Sequence, residues 1–90
     1  MEENNKYIKV TVLKNNSVEM SEINNARIIR IKDKKYNLLI MRDYWPILGE
    51  IEGSIIIEAD ERVEYTNIKG FYTLSHNVFH LIIREVITDD

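Results

Sequence analysis

One stretch constrains this chain more than any other. Asn37–Ile57, NLLIMRDYWPILGEIEGSIII, holds the only Trp, the only Pro and two of the three Gly. Its apolar runs, Leu38–Met41, Ile47–Leu48 and Ile55–Ile57, are separated by short breaks. Pro46 fixes its own φ and removes a backbone donor, so the chain there bends or runs along an edge. The residues leading into it, Asp43-Tyr44-Trp45, are pushed toward extended geometry. Gly53 after Glu52 marks a second turn. The stretch reads as strand, bend, short strand, turn, strand, and it contains no catalytic pattern.

Ninety residues make one domain with one thin core. Ile is abundant and favours strands. The absence of Cys excludes disulfides and thiolate metal sites. No apolar run approaches the ~18 residues needed to span a bilayer, and MEENNKYIKV lacks the apolar region of a signal peptide. The expected location is therefore cytoplasmic, without a transmembrane segment. Charge is divided unevenly. Residues 1–45 carry nine Lys/Arg against six Asp/Glu, and residues 46–90 carry three against nine. Such polarity points to two differently charged surfaces rather than to a nucleic-acid site.

Residues 1–6 read as a polar tail, 7–86 as a single β domain and 87–90 as an acidic tail. Tyr7–Leu13 alternates Ile8, Val10 and Val12 against Lys9 and Thr11, the pattern of a half-buried strand. Lys14-Asn15-Asn16-Ser17 is a turn, Val18–Met20 a short returning strand, and Ser21–Asn25 a loop. Ala26–Lys32 and Tyr36–Met41 flank the turn Asp33-Lys34-Lys35. Ile55–Glu58 and Arg62–Asn67 flank Ala59-Asp60-Glu61, and Gly70–Ser75 and Val78–Glu85 flank His76-Asn77. The last strand, apolar on both faces over much of its length, expects cover on both sides. About nine short strands without a helix predict an all-β, two-layer antiparallel sandwich or flattened barrel.

Each chemical candidate has a plainer reading. His76 and His80 are four apart, which on a strand spans about 13 Å, too far to share one ion. Glu50, Glu52, Glu58, Asp60, Glu61 and Glu64 fall beside turns and at alternate strand positions, as a solvated rim does. Arg27, Arg30, Lys32, Lys34 and Lys35 with Tyr36 form a strip of the kind that binds single strands, but alternation splits Arg27 from Arg30 and Asp33 interrupts the cluster. Charges protecting a sheet edge against aggregation are the plainer reading of the strip. No nucleophile elbow or phosphate loop is present. A non-enzyme without metal or cofactor is expected. Tyr44 and Trp45 at the Pro46 bend either fill a core corner or stand out as an anchor.

The order of these elements resembles the N-terminal β-sandwich domain of the epsilon subunit of F-type ATP synthases. That family carries a segment reading roughly G-x-x-G-x-L-P-G-H-A-P-L-L-x-x-L-x-P-G-x-V-x-I. Tyr36–Ile57 is similar to it, with Pro46-Ile47-Leu48 at P-L-L and Glu52-Gly53-Ser54-Ile55-Ile56-Ile57 at the following turn and strand. The family's G-G-F-x-E-V-x-x-N-x-V-x-V-L resembles the run from Lys69-Gly70-Phe71 to Asn77-Val78-Phe79-His80-Leu81. The likeness runs from Tyr7 to Glu85. This chain has Asp43-Tyr44-Trp45 where the family has Gly-His-Ala, and it lacks most of the family's glycines around Tyr36–Leu39.

The resemblance implies a non-catalytic subunit of the central stalk of an F-type or F-type-like rotary ATPase, engaged in proton transport and ATP synthesis. Such a part clamps the foot of a gamma-like shaft and meets a membrane c-ring, or a substitute for it, below. Its place would be peripheral, on the inner face of the membrane through the complex. The family's C-terminal helical hairpin has no counterpart before Asp90, so inhibition by an extending arm is not expected. Contact candidates are Tyr44, Trp45 and Ile47 on the loop side, and Phe71, Tyr72 and Phe79 on the shaft side, with core packing the plainer role for each. The rival expectation is a free-standing small β-barrel binding module that takes nucleic acid or acts as a phage-encoded inhibitor of a host protein. The rotor reading expects no direct nucleic-acid contact.

Overall fold

The computed structural model describes residues 7–14 and 20–87. The Met1–Lys6 tail, most of the expected Lys14–Ser17 turn, Val18 and Glu19 of the expected short strand, and the last three residues lie outside the described residues. Seven strands follow one another: β1 Ile8–Lys14, β2 Met20–Ala26, β3 Ile28–Asp33, β4 Asn37–Met41, β5 Ile47–Glu58, β6 Arg62–Ser75 and β7 Val78–Val86. No helix occurs among the described residues, so none there is long and apolar enough to cross a membrane.

The strands form one hydrogen-bonded sheet in the order β2-β1-β7-β6-β5-β3-β4. Val10 on β1 and Ile40 on β4 stand far apart in that order, yet both belong to one buried cluster with Ile29, Ile51, Ile55, Ile57, Phe79 and Leu81. A flat sheet would hold them more than 20 Å apart at about 4.8 Å per strand. The sheet therefore folds over itself into the expected β-sandwich. The long strands β5 and β6, of 12 and 14 residues, provide the fold line, and a register shift between Gly53 and Ile55 bends it.

Nine expected strands become seven because two apparent breaks are bulges. Gly53 interrupts the apolar pattern without ending β5. A Cβ there would collide with the Lys32 carbonyl oxygen, so the glycine lets β3 approach while the strand continues. Asn67, at φ 53, sits inside β6. Near it the β6–β7 register shifts between Lys69 and Gly70.

Two further expectations are corrected. Ser21–Asn25 is not a loop but most of β2, an antiparallel neighbour of β1. Of the apolar residues of β2 only Ile23 and Ala26 turn away from solvent, and backbone pairing holds the rest, so no apolar alternation announces this edge strand. The sandwich is antiparallel apart from one junction. β1 and β7 pair parallel, Val10 opposite Phe79 and Val12 opposite Leu81. They are the first and last strands, and no short hairpin forces them antiparallel. β7 is not covered on both faces: Phe79, Leu81 and Ile83 are buried, while His80 and Arg84 are exposed and Ile82 is half-buried.

The turns at Asp33–Tyr36, Ala59–Glu61 and His76-Asn77 stand where expected. His76 and Asn77 both have positive φ, 51 and 64, as a two-residue primed hairpin requires. Asp33 closes its own turn: Oδ2 accepts from Lys35 N at 2.8 Å and Oδ1 from Glu52 N at 2.7 Å.

Candidate contact surface

The bend at Pro46 becomes a projecting corner. After β4 the chain turns at Arg42-Asp43, with Asp43 at φ 66. Asp43 N donates to Asn77 Oδ1 at 2.6 Å, and Asn77 Nδ2 donates to Asp43 Oδ1 at 3.1 Å. Lys9 N donates to Asn77 O at 2.9 Å. One asparagine thus ties the β4–β5 loop, the β6–β7 hairpin and the start of β1 together. Tyr44 and Ile47 are partly buried against the core. Trp45 between them is 81 % exposed, and Leu48 is 82 % exposed. A recess of about 380 Å³ lies under the corner, lined by Asp43, Tyr44, Trp45, Pro46, His76 and Asn77. Large apolar side chains so exposed on a loop held at both ends are the usual form of an anchor.

The shaft-side candidates divide by burial. Phe79 is fully buried and Tyr72 nearly so. Their rings stack at a centroid separation of 5.6 Å, so both are core side chains with no face left for a partner. The Tyr72 ring lies against Gly49, where a Cβ would come within 2.6 Å of its hydroxyl. That hydroxyl is 2.7 Å from Tyr36 Oη, which donates to Glu50 O at 2.6 Å. Burial first, then the bond to Tyr36, pushes the Tyr72 hydroxyl well above the usual tyrosine range.

Phe71, the next residue, points outward and is 40 % exposed. It does not stand alone. In the strand registers Phe71 lies opposite Ile82, Ile82 opposite Leu13, and Leu13 opposite Met20. An apolar row thus crosses β6, β7, β1 and β2 on the outer face, with Leu48 one row away opposite Thr73. Leu48, Leu13, Ile82 and Met20 escape sequence reasoning because each strand contributes only one of them to the patch. Only the register brings them into line.

The cations of the first half meet the carboxylates of the second within the molecule. Arg30 Nε pairs with Glu58 Oε2 at 2.7 Å and Lys34 Nζ with Glu52 Oε1 at 2.9 Å. Arg27 lies 3.5 Å from Asp60 Oδ1 and donates to Ala59 O at 2.8 Å. The hydrogen bonds from Lys34 and Arg30 hold Glu52 and Glu58 below the usual carboxylate range, and the bond to Glu52 raises Lys34. Much of the basic strip is therefore engaged in ion pairs across β3–β5. Among the described residues no group of three His, Asp or Glu side chains is placed to hold a metal ion. His80 is exposed on β7, and His76 Nδ1 lies 3.0 Å from Ser75 Oγ. What the arrangement offers is contact surface: a fixed aromatic corner and an apolar row.

No protein-family model matches the chain, and no curated protein matches it. Solved structures do match its fold. One is a chain of the mitochondrial ATP synthase central stalk and c-ring of Tetrahymena thermophila, with TM-score 0.70 and 14 % identity, covering 86 % of this chain and 63 % of that one. Another is a chain of the mitochondrial ATP synthase of Euglena gracilis, determined with its OSCP, F1 and c-ring parts, with TM-score 0.73 and 14 % identity, covering 97 % of this chain and 56 % of that one. The β-sandwich is thus shared with ATP synthase chains at the level of fold, and this chain spans about three fifths of their length.

Proposed function

We propose that the chain is a non-catalytic, epsilon-like subunit in the central stalk of an F-type or F-type-like rotary ATPase. It would bind the foot of a gamma-like shaft and couple it to the component below, a c-ring or a substitute for it. The observation that carries this reading is the fold likeness over nearly the whole chain to chains of two ATP synthases. The motif resemblance along Tyr36–Ile57 and Lys69–Leu81 adds to it. The apolar row Phe71–Ile82–Leu13–Met20 supplies a face for the shaft, and the corner at Tyr44, Trp45 and Ile47 supplies a contact to the part beneath. A contact of roughly 800 Å² on each side would hold such a part in place.

The test is affinity purification of the tagged full chain from its own cells. Enrichment of a gamma-like subunit together with alpha- and beta-like subunits is the expected result. A chain recovered alone, with no ATPase component at any salt concentration, would overturn the reading.

A further inference from the structure

A recess lies where the β3–β4 turn meets the outer face of β5, β6 and β7. Its volume is about 610 Å³, within the range of small-molecule sites. Phe71, exposed on β6, lines it, and so does Tyr36, whose hydroxyl is fixed by its bond to Glu50 O. Its cations are Lys34 and Lys35 from the turn, Lys69 from β6 and Arg84 from β7. Its carboxylates are Asp33, Glu50 and Glu52. A chain of net charge −3 thus gathers an excess of cations at this place.

Two of the carboxylates are already engaged. Lys34 holds Glu52 at 2.9 Å. Both oxygens of Asp33 accept backbone N–H groups, one from Lys35 and one from Glu52. Three cations are left. Lys35 and Arg84 make no ion pair and no side-chain hydrogen bond among the described residues. Lys69 lies opposite Glu52, which Lys34 holds, and opposite Glu85, which does not line the recess.

The β6–β7 bulge places Arg84. Lys69 pairs with Glu85 and Gly70 with Ile83, so Arg84 is the extra residue, with no partner across the ladder. Bulges re-aim a side chain in this way and are frequent beside active sites. Phe71 follows Lys69 by two residues on the same face, about 7 Å along the strand. Glu50 stands directly opposite Phe71.

We infer that the recess binds a small aryl phosphate, with its phosphate among Arg84, Lys69 and Lys35 and its ring on Phe71. A guanidinium fork and two ammonium groups suit a dianion with three free oxygens better than a carboxylate. The ring stacks on Phe71 in the offset or edge-on manner of aromatic pairs. Glu50, beside the ring, is left to accept from a hydroxyl group of the ligand. It also repels a second phosphate, so the site favours a monoester over a polyphosphate or a nucleic-acid strand. The inference shares Phe71 with the face given above to the shaft, but it does not rest on the rotor reading.

The test is residue-resolved NMR titration of the full chain with phenyl phosphate. At a pH of about 7.5 a monoester, with its second pKa near ~6, is dianionic. Saturable shifts centred on the amides of Lys35, Lys69, Gly70, Phe71 and Arg84 are expected, with a Kd on the order of 1 mM. Binding should weaken as salt rises. Orthophosphate should bind at least about fivefold more weakly for want of the ring, and phenol should give no saturable shift. Arg84→Gln should weaken phenyl phosphate about tenfold, and Phe71→Ala should bring it down to the affinity of orthophosphate. Both side chains are exposed, and an otherwise unchanged amide spectrum checks that each variant folds. Shifts that do not saturate, equal affinities for orthophosphate and phenyl phosphate, or an Arg84→Gln chain that binds like the parent would overturn the inference.

Discussion

Asn77 grips Asp43 across 34 residues of sequence, accepting from its backbone N–H and donating to its carboxylate. The pair fixes the angle at which the Pro46 corner leaves the sandwich. Asn77 also occupies a left-handed conformation at φ 64, which Asn tolerates better than most residues.

Two substitutions separate these roles. Asn77→Gly keeps the backbone conformation but loses the side-chain bonds, and should cost about 1–2 kcal/mol. Asn77→Ala adds backbone strain of about 1 kcal/mol more. In both, Trp45 fluorescence anisotropy should fall as the corner loosens. Equal stabilities for the two variants, with unchanged anisotropy, would count against the clamp.

Trp45 and Phe79 should respond in opposite ways. Trp45→Ala removes an exposed side chain and should leave unfolding within about 0.5 kcal/mol of the parent. In the proposed assembly it should weaken partner binding by at least about tenfold. Phe79→Ala empties the centre of the core and should cost about 3–5 kcal/mol. Chemical denaturation of both variants checks the first contrast, and pull-down of the shaft subunit checks the second.

Gly70→Ala tests the close approach of β6 and β7. A Cβ at Gly70 would meet the Ile82 carbonyl oxygen. That atom belongs to a paired backbone, so the strands must separate locally. A loss of about 2–3 kcal/mol is expected, at the upper end of overpacking costs. A variant as stable as the parent in urea would show that the bulge yields.

The pH dependence has two limbs. The Tyr72 hydroxyl is raised, chiefly by burial, so its contribution is complete below pH about 10 and is lost as pH rises toward its folded value. Tyr72→Phe should cost about 1 kcal/mol at neutral pH and flatten the alkaline limb. On the acid side, Glu52 and Glu58 are lowered by Lys34 and Arg30. Their contribution is present above the ordinary carboxylate value and lost as pH falls through the lowered one. Arg30→Ala should make the acid limb shallower. Thermal unfolding across pH, with and without each substitution, gives the comparison.

Much of the architecture was legible from local chemistry. Alternation in Tyr7–Leu13 announced β1. Asp33, Ala59-Asp60-Glu61 and His76-Asn77 marked turns because Asp and Asn bond their own backbone and accept unusual φ. Gly53 misled, since a glycine that admits a neighbouring carbonyl looks in sequence like a glycine that ends a strand. β2 was invisible, because an edge strand held by its backbone needs no apolar repeat. At the candidate surface, Trp45 was legible as the only Trp beside the only Pro, but its exposure was not.

The order of hydrophobic and turn-forming residues by itself determined an all-β sandwich with a bend at Pro46, because period-two alternation and backbone-restricted residues act over a few positions. Only the tertiary structure decided that Phe79 and Tyr72 are core while Phe71 looks outward, and that β1 runs parallel to β7. It alone aligned Phe71, Ile82, Leu13 and Met20, and paired the cations of β3 and its flanking turns with the carboxylates of β5 and the turn that follows it. Those outcomes depend on register between strands distant in sequence. Register is set by the joint burial of the whole core and not by any single segment.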